Sequence, residues 1–416
     1  MRCEGLRVVV VGGGIGGLAA GLLLARSGAA VTILDRPTDA DTRGAGLLVQ
    51  PNGLAVLRAL SLGGPLEAAG HRLDVTSLRG ADGRQVSRLR MPDFGAGLDH
   101  VLCVRRRSLV GALGTAVAEE PLATVRSAEV MKATPDGTVV VADGAGPLAP
   151  EADLVVGADG VGSAVRASGT FGARARGTGR WYARGLVPVD VEDADAAAQV
   201  TGEHWTTSGV FGGAPVGDGL FYFYCSLDAP IIAEALAAGE RAAFVRAWTS
   251  TLTATAPVLD GLGGLDSLLV NQAHEVVCDR WVDGRLVLLG DAAHAMEPTL
   301  GQGANSALVD AAVLCLEITR GGGLAAALRR YQQRRLHPVT GVQRSSERLA
   351  RLAGLRHGLS RTSRDAVLRL LSRQALLTRQ ARAAQQEPPA ALLGELSAQL
   401  GDGGGLPARD RRSPIS

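Results

Sequence analysis

Residues 7–35, RVVVVGGGIGGLAAGLLLARSGAAVTILD, decide how the rest of the chain is read. RVVVV is a β-branched run of buried-strand length. GGGIGG follows at once, and LAAGLLLARSG then reads as a helix closed by Gly28. AVTILD, residues 30–35, is a second strand. Strand, glycine turn, helix and strand within about thirty residues make one βαβ unit. Gly12, Gly14 and Gly17 fill the G-x-G-x-x-G positions, with Ile15 and Gly16 opening the helix. The first glycine permits the tight turn, the second lets a pyrophosphate approach the backbone, and the third lets helix and strand pack closely. The helix start presents free N–H groups to the phosphates. Asp35 stands where an acid binds a ribose hydroxyl, and Arg36 beside it is a further candidate for cofactor binding. This context makes the unit a dinucleotide site, although the fingerprint does not say which dinucleotide.

At 416 residues the chain is long enough for two to three domains. A net charge of +2 gives no global field for nucleic acid. Lys132 is the only lysine, and every other basic residue is Arg, which we read as genome composition. The five cysteines are scattered, without C-x-x-C or a His/Cys cluster, so neither disulfides nor a metal site is expected. No run is long enough to span a membrane, and no signal peptide is recognisable. A cytoplasmic protein is expected.

Two further motifs carry chemistry. DLVVGADGVGSAVR, residues 153–166, is a strand running into a turn at Asp159 and Gly160, then a helix start with Arg166. GRLVLLGDAAHAMEPTLGQGANSALVDAAVLCLEI, residues 284–318, is a strand, a glycine-rich cradle and a long helix, with Leu308, Ala311, Ala312 and Cys315 at helical spacing. No later segment repeats the full fingerprint: GLGGLD at 261 and GQGANS at 301 lack the third Gly. One dinucleotide therefore has a dedicated site, and a second would bind more loosely.

Together these motifs resemble the FAD-dependent monooxygenases of the single-component aromatic hydroxylase type, related to p-hydroxybenzoate hydroxylase and salicylate hydroxylase. That family carries G-x-G-x-x-G near the start, a D-G motif mid-chain and G-D-x-x-H-x-x-x-P-x-x-G-Q-G-x-N later. All three are complete here, and the resemblance covers about residues 1–340. RGAGLLVQPNGLAVLRAL (43–60) is similar to the family's segment with an Arg near the flavin, here Arg43, and VRRRSLVGAL (104–113) to its R-x-x-L helix, with Arg106 near the cofactor. The resemblance implies FAD, with its AMP half on the first unit and its flavin on Gly290, Asp291, Pro298, Gly301, Gly303, Ala304 and Asn305. The Asp matching Asp291 bonds the ribityl chain, and the turn around Gln302 lies beside the pyrimidine edge. Backbone N–H groups and a helix start suit the negative charge that a reduced flavin carries there. The D-G motif implies support for FAD and for transient NADPH or NADH at Asp159, Gly160 and Arg166. His294 matches a residue with a structural role.

The resemblance also implies a function: NAD(P)H reduces FAD, oxygen adds at flavin C4a, and the hydroperoxide passes one oxygen atom to an aromatic or polyketide-like small molecule, in secondary metabolism such as antibiotic biosynthesis. The alternative is an FAD-dependent reductase or dehydrogenase on the same scaffold. A flavin halogenase lacks support, because W-x-W-x-I-P is absent. A non-catalytic flavin-binding protein would not need the complete cradle. A monomer or homodimer is expected, with no nucleic acid, no metal and no integral membrane association. The thioredoxin-like domain of larger phenol-hydroxylase relatives is not expected.

Between about 171 and 280 the pattern becomes strand-like, and most aromatics lie there. In FYFYC, alternation requires that either Phe221 and Phe223 or Tyr222 and Tyr224 face the pocket. Tyr182, Phe211, Tyr222 and Tyr224 are the candidate substrate lining, with ordinary core packing the competing role for each. Arg184 is a candidate partner for a substrate carboxylate or phenolate. His204 is a candidate base for a phenol. The expected architecture is α/β: a Rossmann-type FAD-binding domain with an interleaved mainly-β substrate domain and C-terminal helices. Its parts are 1–170 (FAD-binding, with a substrate-domain insertion near 72–100), 171–280 (substrate sheet), 281–340 (cradle and helix), 341–385 (C-terminal helices) and 386–416 (a disordered tail). Residues 320–382 carry fifteen Arg against Glu347 and Asp365, which reads as an amphipathic helical region packed on the body with Arg in water, rather than one docked on a membrane or anionic partner.

Overall fold

The computed structural model describes residues 3–36, 45–142, 152–189 and 199–401. Arg43 lies outside the described residues. The first motif forms the predicted unit: strand Arg7–Val11, helix Ile15–Arg26 and strand Ala30–Asp35. These strands lie in a six-stranded sheet ordered Val282–Asp283, Leu286–Leu288, Leu154–Gly157, Arg7–Val11, Ala30–Asp35, Ala123–Ser127. Its strands run parallel except for the short edge strand Val282–Asp283. All four residues of Leu154–Gly157 and all three of Leu286–Leu288 are buried, as a parallel sheet covered on both faces requires. Helix Ile15–Arg26 packs against helix Gly303–Thr319, which packs in turn against the long helix Leu324–Ala353.

A seven-stranded, mainly antiparallel sheet forms the second layer, ordered Leu269–Val277, Arg174–Pro188, Leu220–Ser226, Val210–Gly217, Gly202–Trp205, Val75–Arg79, Gln85–Arg90. Its last two strands come from the segment near 72–100, joined through the parallel pairing of Gly202–Trp205 with Val75–Arg79. One face is covered by helices Pro230–Ala237 and Arg241–Thr251 over a core of Phe211, Phe221, Phe223 and Trp248. The opposite face looks toward the FAD-type domain. The architecture is therefore α/β, with a parallel nucleotide-binding sheet, an antiparallel substrate-domain sheet and C-terminal helices.

One expectation fails at the C-terminus. Its composition predicts a disordered tail from 386, yet Pro389–Gly401 is a helix whose Leu392 and Leu396 are buried and which packs on helix Pro51–Ala59. The PP and GGG signals flank an apolar i, i+4 pair that finds a distant partner surface. Residues 402–416 lie outside the described residues.

Candidate active site

A cavity of about 1210 Å³ runs between the two layers. Gly14, Ile15 and Gly16 form part of its wall, together with Arg106, Gly160, Gly290, Asp291, Pro298, Gly301, Gly303 and Ala304. The motifs that are far apart in sequence thus meet around one space. The sheet supplies the other wall, including Arg180, Tyr182, Arg184, Glu203, Trp205, Tyr222 and Tyr224.

The glycines of the first turn divide by role. A Cβ on Gly17 would lie 1.9 Å from the Gly12 carbonyl oxygen, so the helix can sit on the turn only with hydrogen there. Gly12 has φ +104°, and a Cβ would meet the Ala158 carbonyl oxygen at 2.4 Å. Both act behind the wall. Gly14 is different: its φ of −74° is ordinary, and a Cβ would meet nothing within 4 Å. The protein's own packing does not need a glycine there, whereas a ligand lying against the backbone does. Gly14 also caps its helix without a side-chain hydrogen bond, leaving first-turn N–H groups toward the cavity. The Asp35 carboxylate lies over the turn, where a Cβ on Gly13 would come within 2.6 Å of it. Arg36 is exposed and off the cavity wall.

The second cradle is held by residues the sequence reading did not single out. Asp310, fully buried, accepts from the Gly290 backbone N–H at 3.0 Å, sits 2.5 Å from His294 Nε2, and accepts from Arg335 Nε at 2.8 Å. Burial alone would raise its pKa, but the charges of His294 and Arg335 and these hydrogen bonds hold it at about 2. Arg335 is itself fully buried and continues to Gln386 at 2.6 Å. His294 packs on Trp281, with ring centroids 5.1 Å apart. It is thus a buried strut and off the cavity wall. An acid seven residues into an apolar helix and an Arg a further 25 along were the only sequence signals for this network.

Several residues of the later motifs stand behind the wall rather than on it. Asn305 is off the wall: its Nδ2 donates to the carbonyls of Leu48 (2.9 Å) and Gly301 (2.8 Å), and its Oδ1 accepts from the Gln50 N–H (2.9 Å). It ties the helix start to the segment before helix Pro51–Ala59. Gln302 is likewise turned inward, donating to Gln50 Oε1 at 2.9 Å and accepting from Asn52. Asp159 is also behind the wall; its Oδ2 accepts from the Val165 N–H at 3.1 Å, and burial raises its pKa. Arg166 spends its guanidinium on backbone carbonyls, reaching Ala292 at 2.8 Å and Val161. It staples the D-G turn to the cradle. In these places the motif residues shape a ligand site from behind.

On the sheet wall, alternation settles which half of FYFYC faces the cavity: Tyr222 and Tyr224 do, while Phe221 and Phe223 join the core under the helices. Phe211 is a correction. It stacks on Phe223 at 5.7 Å and meets Trp248 edge-on at 5.3 Å, in that same core. His204 is a second correction. It pairs directly with Phe211 across the strands and therefore points away from the cavity. Burial, then the charge of Arg79, lowers its pKa to about 4. Its strand neighbour Glu203 takes the cavity side instead. Glu203 accepts from Tyr224 Oη at 2.8 Å and from Trp205 Nε1 at 2.5 Å, and burial raises its pKa. The period of two placed an ionisable group at the pocket, one residue from the one predicted. Tyr182 donates to Glu297 at 3.2 Å, and Arg180 bridges Glu297 (2.7 Å) and Glu347 (3.1 Å). Arg184 lies over the Tyr182 ring and donates to Asn271.

A nucleotide-binding first turn, a second helix start with open space over Gly303, and one cavity joining both to an aromatic wall fit an extended flavin dinucleotide. Residues 5–346 match the family described as FAD binding domain. The chain belongs to this family of flavin monooxygenases and is a flavin-dependent oxidoreductase of the monooxygenase type. Among similar proteins is the aurachin C monooxygenase/isomerase of Stigmatella aurantiaca, 31% identical over 389 residues, covering 92% of this chain and 99% of the relative. A 3-amino-4-hydroxybenzoate 2-monooxygenase of Streptomyces platensis is 33% identical over 366 residues, covering 82% and 86%. Among solved structures, a tetrameric form of 2-methyl-3-hydroxypyridine-5-carboxylic acid oxygenase superposes with a TM-score of 0.74 at 25% identity, covering 93% of this chain and 97% of that one. No helix among the described residues is long and apolar enough to cross a membrane.

Proposed function

We propose that this chain is an NAD(P)H-dependent FAD monooxygenase that places one oxygen atom on an electron-rich aromatic or quinolone-type small molecule of secondary metabolism. The observation that carries the reading is the single cavity connecting the two-part nucleotide cradle to the tyrosine and arginine wall of the sheet. The relatives act, by their names, on aminohydroxybenzoate and aurachin, and another 30% identical over 358 residues is a 2-heptyl-3-hydroxy-4(1H)-quinolone synthase of Mycobacteroides abscessus.

Bound FAD supplies electron transfer from a nicotinamide to dioxygen and delivery of one oxygen atom. The protein's residues do the positioning. N–H groups at Gly14, Ile15 and Gly16 would hold the pyrophosphate, and Asp35 the ribose. Asp291 would hold the ribityl chain. The start of helix Gly303–Thr319 would stabilise negative charge on the reduced ring, by about 0.3–2 kcal/mol for the helix dipole. Asp310, Asn305 and Arg166 keep the cradle in shape. Arg184, Tyr182, Tyr222 and Tyr224 would orient the aromatic substrate, with Glu203 as the acceptor at the end of the Tyr224 hydroxyl. NADPH or NADH would bind transiently, since no second fingerprint is present.

The test is oxidation of NADH and NADPH by the FAD-loaded protein in air, with and without a panel of phenols, aminohydroxybenzoates and quinolones. Substrate-stimulated oxidation with a product one oxygen heavier is the expected result. Nicotinamide oxidation that persists without oxygen and yields a reduced product would overturn it in favour of a reductase.

A further inference from the structure

We propose that the cavity has a second compartment, an apolar arm running from the cradle toward the C-terminal helices, and that it binds a long aliphatic chain carried by the aromatic substrate. This rests on the oxygenation reading above for the aromatic head only. The order of contacts fixes the arm's direction. A Cβ on Gly46, beside the cradle, would come within 2.2 Å of Tyr222 Cγ, so Tyr222 marks the inner end. Tyr224 follows, with ring centroids 6.0 Å apart. Tyr224 reaches Glu203, and Glu203 reaches Trp205. Around Trp205 the apolar packing partners include Leu78, Leu349 and Leu368, from the sheet edge and the C-terminal helices, and the Arg364 guanidinium lies over its ring at 5.0 Å. Leu89, Leu377 and Ala381 extend the wall between strand Gln85–Arg90 and helix Gln374–Ala384.

The wall chemistry selects the ligand. Both Glu203 oxygens are already bonded, so this carboxyl is satisfied at the entrance to the arm. Beyond it the half-buried side chains are mainly aliphatic; the half-buried Ser77 and Ser372 spend their hydroxyls on the carbonyls of Thr201 and Val86, and Arg348 and Gln380 are exposed at the rim. A mainly apolar lining of this kind is unfavourable against water and marks a ligand surface. The one cavity of about 1210 Å³ takes in both the cradle and these residues, so the arm is continuous with the space over the flavin cradle.

The experiment is calorimetric binding to the FAD-loaded enzyme of two homologous series, 4-alkylphenols and 2-alkyl-4(1H)-quinolones, from methyl to undecyl. Kd should fall about threefold to fourfold per added methylene, the fold-change of ~0.8 kcal/mol per buried CH₂, until the arm is full, and then level off. Ala381→Trp and, separately, Leu377→Trp should abolish the chain-length dependence while flavin content and methyl-homologue binding stay unchanged. Methyl homologues that are oxygenated with no chain-length dependence would overturn the arm and leave the oxygenation reading intact. Chain-length dependence without oxygenation of any homologue would support the arm and remove that reading. Silence in both series, or a slope that survives both tryptophan variants, would overturn the arm.

Discussion

Replacing Gly14 with Val separates what the fingerprint does for folding from what it does for a ligand. Gly14 has an ordinary extended conformation (φ −74°, ψ −177°), and its Cβ would point into open space. A side chain there stiffens the unfolded chain, a gain of about 0.4–1 kcal/mol. It also loses the preference for Gly at a helix N-cap, a cost of up to ~1 kcal/mol. The two nearly cancel, so the FAD-free variant should unfold within a few degrees of wild type. The ligand side is different, because Gly14, Ile15 and Gly16 line the cavity at an uncapped helix start. Three added carbons would hold the pyrophosphate off those N–H groups, forfeiting the helix-dipole attraction of about 0.3–2 kcal/mol along with the direct hydrogen bonds. FAD affinity should fall at least about tenfold, the equivalent of ~1.4 kcal/mol. The assay is thermal unfolding with and without FAD, beside flavin content after gel filtration. Wild type should gain about 2.7 kcal/mol at 100 times Kd, and the variant should lose at least about half of that gain at the same FAD concentration. Wild-type FAD affinity in Gly14→Val, or a cofactor-free variant that fails to fold, would refute the reasoning. Gly17→Ala is the control: its Cβ would sit 1.9 Å from the Gly12 oxygen, so the protein itself should lose about 1–3 kcal/mol or more, with or without FAD.

Asp310→Ala should cost about 3–5 kcal/mol in urea unfolding, because it strands the buried Arg335 and frees the Gly290 N–H; a loss below ~1 kcal/mol would show that the network does not hold the cradle. The pKa of His204 is lowered from 6.5 to about 4 on folding, so between those values the unfolded chain binds more protons. Its contribution is complete above pH 6.5 and is lost as pH falls through 4, amounting to ~3 kcal/mol; His204→Leu should flatten this part of the stability profile, and an unchanged acid slope would count against it. Arg184→Ala should raise KM for an acidic aromatic substrate about 10- to 100-fold, the worth of a charge-assisted hydrogen bond, with flavin content unchanged; an unaltered KM would remove Arg184 from the substrate wall. His204→Leu should also leave turnover nearly unaffected, since the imidazole faces the helix layer.

Much of this protein is legible in its sequence, because the signals are local. The turn at residues 12–17 needs glycine for reasons contained within thirty residues of chain, and the strands beside it are buried runs. Alternation in FYFYC leaves two choices for its facing. Tertiary structure decided between them, since only the opposite sheet face, with Trp248 and Phe244, shows where the apolar rings belong. The same parity moved the pocket's ionisable group from His204 to Glu203. Local counting misled most in the C-terminal third. Fifteen Arg against two acids within residues 320–382 suggested a solvated basic face. In the fold, Arg330 and Arg334 meet Glu317, Arg334 also meets Glu387 and Glu395, Arg369 meets Asp82, and Arg335 meets Asp310. A charge's partner is set by which surfaces pack together, and separations of up to 287 residues along the chain leave no trace in a local window. The sequence alone determined a flavin-type cradle and its two-layer frame. The packing of those layers determined which side chains touch a ligand and which hold the cradle from behind.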